Sequence, residues 1–162
     1  WEKSEHHQLH YAPYAGEGAL VQIHQGGRMM TYEEKVRWLR RYQDSLRREQ
    51  ELAEEVDQLR SRACKVTPSL SGMPGGTSDG QALPRAVEQI LEAQQELQAQ
   101  IEQCNAIRRE VANTIERISG SKEKEIFRRR YLLGQTWEEI AEHMDISTRW
   151  VQILHQKQMD SD

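Results

Sequence analysis

Apolar side chains recur along this chain at helical intervals, and no stretch alternates as a half-buried strand would. From Thr31 to about Arg62 they fall at Tyr32, Val36, Leu39, Tyr42, Leu46, Leu52, Val56 and Leu59, with charges between them. That spacing predicts one long amphipathic helix over residues 30–65, opened by Thr31 with Glu33 and Glu34 behind it. The segment "CKVTPSLSGMPGGTSDGQALP" follows, where Pro68, Pro74 and Pro84 and a run of glycines forbid continuation. A connector is expected over 66–84, longer than most loops inside compact domains. Beyond it Val87, Ile90, Gln94, Leu97, Ile101, Cys104, Arg108, Val111, Ile115 and Ile118 recur at alternating steps of three and four. This is a heptad seam on a second long helix over 85–119, with Pro84 suited to its first turn. It is expected to pack antiparallel on the first helix; dimerisation through the same surface is the rival. Gln94 and Arg108 either fix register in a coiled coil or lie at the edge of a helical hairpin.

After a break at Ser119-Gly120-Ser121 the pattern shortens. In "KEKEIFRRRYLLG" the residues Ile126, Phe127, Tyr131, Leu132 and Leu133 make an apolar face, and Gly134 closes the helix. Thr136 and Glu139 form a capping box for the next helix, whose Trp137, Ile140, Ala141 and Met144 point inward. Asp145-Ile146 make a turn with Ile146 as its apolar plug, and Ser147 caps a last helix. There Val151 and Leu154 share a face and should pack on Ile140 and Ala141. The expected fold is therefore all-α, a long helical hairpin or coiled coil followed by a C-terminal helix-turn-helix domain over 121–158.

Residues 1–29 lack this periodicity and carry Gly or Pro every few positions, so they read as a disordered leader or non-native start. Reverse translation agrees, because Gln25-Gly26-Gly27 can be encoded by a purine-rich ribosome-binding run just upstream of Met30. The nearby His6, His7 and His10 lack the fixed geometry of a metal site.

Composition narrows the classes further. The chain has 162 residues, 36% of them hydrophobic and 30% charged, and a mean hydropathy of -0.88, which suits elongated helices better than a thick core. No apolar run approaches the ~20 residues that span a bilayer, so no membrane partner is expected and the chain reads as cytoplasmic. Cys64 and Cys104 have no metal-ligand spacing and read as reduced thiols. No nucleophile pattern, metal-ligand spacing or phosphate loop appears; "GMPGGTSDG" has no GK[ST] ending and no preceding strand. We expect no enzyme, no cofactor and no metal.

The net charge of -4 does not advertise nucleic-acid binding, so any basic face must arise by segregation. Arg128, Arg129, Arg130, Arg149 and Lys157 would form one side, and Glu138, Glu139, Glu142 and Asp145 another. On the last helix Thr148, Arg149, Gln152 and Gln156 point outward. Arg can bond guanine with two donors, Gln can do the same with adenine, and a Thr methyl can meet thymine. Trp150 sits at the edge of the buried face, where it completes the core or stacks on sugar and base-methyl surface.

The stretch "YLLGQTWEEIAEHMDISTRWVQILHQK" resembles region 4 of the bacterial sigma-70 family, whose final helix reads the promoter -35 element. The span from Met30 to about Lys157, with "TPSLSGMPGG" ahead of the second long helix, resembles the small phage-encoded transcription regulators of the ArpU and RinA type. The resemblance implies control of phage or prophage late genes from promoter DNA in a bacterial host, with host RNA polymerase as a further partner. It carries a DNA-reading role to Ser147, Thr148, Arg149, Trp150 and Gln152. Trp150 and Gln152 stand where sigma region 4 often has arginines, which points to a different target sequence. No part of the match covers the sigma segments that melt DNA.

The full set expected at DNA is Arg128, Arg129, Arg130, Thr136, Ser147, Thr148, Arg149, Trp150, Gln152, Gln156 and Lys157, the first three near phosphates. One such head has few cations, so a homo-oligomer is expected to bring two or more heads to double-stranded DNA. The alternatives are a phage DNA-packaging adaptor, or a protein-interaction module that binds polymerase and no DNA.

Overall fold

The computed structural model describes residues 24–25, 28–66 and 81–160. His24–Gln25 (β1) and Arg28–Met29 (β2) pair antiparallel, His24 opposite Met29 and Gln25 opposite Arg28. The rest of the expected leader, with His6, His7 and His10, lies outside the described residues, as do connector residues 67–80. The remainder is all-α, as the apolar periodicity predicts. Helices α1 (Tyr32–Val66) and α2 (Ala82–Glu116) are followed by α3 (Ser121–Phe127), α4 (Trp137–Met144) and α5 (Thr148–Asp160).

Helix α1 starts on a reciprocal cap: Thr31 N–H donates to Glu34 Oε2 at 2.8 Å, and Glu34 N–H to Thr31 Oγ1 at 3.3 Å. It runs to Val66, one turn past the expected stop near Arg62, because no proline follows Arg62 until position 68. Helix α2 begins at Ala82, ahead of Pro84. A proline in the first turn breaks no helical hydrogen bond, since those N–H groups have no carbonyl behind them.

The two 35-residue helices are each about 52 Å long and pack antiparallel. Arg41 pairs with Glu110 at 2.8 Å, Gln100 Nε2 donates to Ser45 O at 2.9 Å, and Arg48 pairs with Glu96 at 3.1 Å. These pairs run in opposite directions along the two chains, which fixes the register of the hairpin. Burial along the α2 seam is graded. Cys104, Val111, Ile115 and the following Ile118 are buried, Ile90, Leu97 and Ile101 are half-buried, and Val87 is 46% exposed. Further helices stack on the α2 seam only near Ile118, whereas on α1 Leu52 and Val56 stay buried beyond the reach of that cluster. Arg108 is exposed, and the neighbouring Ile107 packs on the core in its place.

The break after α2 interrupts the helix but not the core. One buried cluster joins Leu39 of α1, Val111, Ile115 and Ile118, Ile126, Phe127 and Tyr131, Ile140 and Ala141 of α4, and Val151, Leu154 and Met159 of α5. The head is thus built onto the end of the hairpin, across the Ser119-Gly120-Ser121 break. Full burial of a side chain such as Phe127 or Leu39 contributes about 1.5–3 kcal/mol.

Helix α3 continues through one π-helical turn, Arg128–Leu132, in which Leu133 N–H reaches back to Arg128 O at 3.1 Å. Gly134 ends it at φ +73°, in the left-handed region where glycine carries no Cβ penalty. Gln43 of α1 covers the exposed carbonyls, its Nε2 donating to Leu132 O at 3.1 Å and Tyr131 O at 3.3 Å. A Cβ on Gly134 would lie 2.9 Å from Gln43 Oε1. Gly134→Ala should thus cost about 1–3 kcal/mol from backbone strain and crowding together, read by urea unfolding. In a Gln43→Ala background the crowding disappears, and the glycine replacement should cost about 1 kcal/mol.

A candidate nucleic-acid interface on the last helix

Helices α4 and α5 are held at a short turn by backbone geometry. Thr136 N–H donates to Glu139 Oε2 at 2.7 Å and Glu139 N–H returns to Thr136 Oγ1 at 3.2 Å, the capping box expected from the sequence. Those hydrogen bonds hold the exposed Glu139 carboxyl below its ordinary pKa. Asp145 ends α4 in the left-handed region at φ 53°, a conformation that a short polar side chain tolerates. Ile146 N–H then donates to Ala141 O at 3.1 Å, while the Ile146 side chain packs on the core. Ser147 Oγ accepts from Trp150 N–H at 3.2 Å and caps α5.

Helix α5 is sharply two-sided. Val151, Leu154, His155, Gln158 and Met159 are buried, and Arg149, Gln152, Ile153, Gln156 and Lys157 are exposed. Thr148 and Trp150 lie between these faces, and Trp150 packs against the core edge, the first of its two expected placements. Arg149, Gln152 and Gln156 make no hydrogen bond or ion pair among the described residues.

The three arginines expected near phosphates are placed differently. Successive side chains point roughly 100° apart around a helix, so they diverge. Arg128 pairs with Glu116 of α2 at 2.8 Å. Arg129 Nε lies 2.6 Å from Glu125 Oε1 without hydrogen-bond alignment, and its Nη1 donates to Gln135 Oε1 at 3.1 Å. Arg130 stacks 4.5 Å above the Trp137 ring and donates to Gln135 O at 2.8 Å. Arg129 and Arg130 brace the approach to α4, and Thr136 uses its hydroxyl and N–H in the cap. The structure therefore gathers Thr148, Arg149, Gln152, Gln156 and Lys157 on or beside one outward face and leaves Arg129, Arg130 and Thr136 in structural contacts elsewhere.

The buried anchor of α5 is His155, which periodicity does not reveal because its side chain is polar. It is 3% exposed. Its ring stacks on Phe127 at 4.7 Å, meets the Trp137 edge at 5.0 Å, and its Nε2 is 2.8 Å from the Tyr131 hydroxyl. Burial, with Arg130 and Arg40 nearby, pushes its pKa from 6.5 down to about 4. Burial likewise holds the Tyr131 phenol above its ordinary range. At the end of the same helix, Lys35 Nζ donates to Met159 O at 2.7 Å, so a nearly buried ammonium caps the carbonyl end of α5.

No family model matches this chain, and comparisons with curated proteins and with solved structures give no match either. Among the described residues no group of His, Cys, Asp and Glu could hold a metal ion, and no helix is long and apolar enough to cross a membrane. Cys64 is exposed and Cys104 buried, both as free thiols.

The His155 environment has a pH consequence. Below pH 6.5 the unfolded chain takes up a proton that the folded chain refuses until about pH 4. Stability from this residue is thus level above about 6.5 and falls by about 3 kcal/mol as pH drops through that window. Urea unfolding at a series of pH values should show the fall in the wild type. His155→Phe, which keeps the stack and removes the titration, should lose that component.

Proposed function

We propose that this chain is a DNA-binding transcription regulator of phage or prophage late genes, reading double-stranded DNA with the outward face of α5. The observation that carries the reading is that Arg149, Gln152 and Gln156 stand exposed, with no hydrogen bond or ion pair among the described residues, on a helix whose other face is deeply buried. Side chains with donors to spare, fixed on a rigid support, are what base-edge recognition in a major groove requires. Arg128, half exposed in its pair with Glu116, is the arginine of its run best placed to exchange an internal carboxylate for a phosphate.

Exposed Glu138, Glu139 and Glu142 give α4 an acidic outer surface, suited to a protein partner such as RNA polymerase and opposed to close approach of DNA. A single head with so few cations binds weakly, so the reading includes oligomerisation. Leu83, Val87 and Leu91 are 41%, 46% and 54% exposed on successive turns of α2, and a second copy seated there would bury them. A two-fold axis along the hairpin would set both heads at the same end, able to meet two half-sites.

Selection from random duplex DNA with the full chain should enrich a spaced pair of half-sites. Arg149→Ala should weaken binding to the enriched site by roughly 5- to 150-fold, the loss of one bidentate base contact. Absence of enrichment at low and at moderate salt would overturn the DNA reading in favour of a protein-docking head. A ring of many subunits in solution would favour the packaging adaptor.

A further inference from the structure

The outward face of α5 contains one residue that its polar pattern does not call for. Ile153 is 43% exposed and belongs to neither the core nor its partly buried margin. It stands four residues after Arg149, beside Gln152 and three residues before Gln156, so it occupies the middle of the face these side chains define. Single exposed aliphatic residues are common on protein surfaces and by themselves mean nothing. Here the surroundings are specific: the flanking Arg149, Gln152 and Gln156 present hydrogen-bond donors, with no partner among the described residues, around an apolar centre. A β-branched side chain on a helix is held to essentially one χ1 rotamer, so its methyl groups have a fixed position.

The major groove offers a surface of matching chemistry. Its base edges present donors and acceptors everywhere except at the thymine C5-methyl group, the one apolar feature of the code. We propose that Ile153 is a specificity-determining residue that selects thymine through its C5-methyl, between bases read by Arg149 and the two glutamines. This rests on the DNA reading of α5 and adds to it the base that the centre of the face selects. Cytosine at that position would set a polar amino group against the isoleucine and remove the methyl contact.

The test uses the full chain and the site enriched from random duplex, with each thymine replaced in turn by deoxyuridine, which removes only the methyl. At one thymine per half-site the wild type should lose about 4-fold in affinity, the equivalent of one buried methyl group. Ile153→Ala, exposed and so expected to fold normally by circular dichroism, should bind the thymine and deoxyuridine duplexes equally at that position. Wild-type binding indifferent to every replacement, or Ile153→Ala retaining the same sensitivity, would overturn the inference while leaving the DNA reading intact. Failure of the wild type to enrich any site would overturn both. Loss of a polymerase contact in Ile153→Ala, with methyl sensitivity unchanged, would reassign the residue to protein docking and overturn the inference as well.

Discussion

Helix α5 can present a fixed outer face only because its inner face is seated in a core that the head does not build alone. Leu39 of the first helix and Val111 and Ile115 of the second share one buried cluster with Val151, Leu154 and Met159. His155 stacks on Phe127 and meets the Tyr131 hydroxyl, and Lys35 holds the Met159 carbonyl. A free three-helix head of this size would bury little apolar surface and be marginally stable. Fused to the hairpin, it inherits the stiffness of two long packed helices. Position and rigidity of the outward side chains follow from that seating, as recognition within a few tenths of an ångström demands.

The same packing decides which charges remain for a partner. The chain is acidic overall, and much of its cationic inventory is committed internally: Arg41 and Arg48 across the hairpin, Arg128 to Glu116, and Arg129 and Arg130 at the entrance to α4. The exposed ion pairs among these, Arg41–Glu110, Arg48–Glu96 and Arg128–Glu116, contribute little to stability, typically ~0–1 kcal/mol each. Their larger consequence is to quench positive surface that would otherwise favour nonspecific binding to phosphates. What remains on α5 is a face of few charges and several directional donors around an isoleucine, which on the proposed DNA reading favours discrimination between bases over raw affinity.

Much of this architecture is legible in the sequence because it rests on local rules. The Thr136–Glu139 cap, the closing Gly134, the Ser147 cap, the Ile146 plug and the inward Ile140, Ala141, Val151 and Leu154 all follow from residue type at a fixed offset. The features that escape are long-range. His155 is buried because Tyr131 and Phe127 stand ready to satisfy and stack on it, and nothing within α5 announces them. The consecutive arginines look like a basic patch until their separate partners on α2, α3 and the α3–α4 junction are known. The graded seam of α2 is likewise invisible to heptad counting, which reports which residues share a face and not whether a third layer covers it.

Whether the outward face of α5 is the surface that meets DNA is read by amide chemical-shift mapping on the full chain, with mixed-sequence duplex DNA added at low salt. A DNA-reading face on α5 requires the largest perturbations to fall on Arg149, Gln152, Ile153 and Gln156, with Val151, Leu154 and His155 little moved. Perturbations confined to the exposed stripe of Leu83, Val87 and Leu91, or absent throughout, would contradict it.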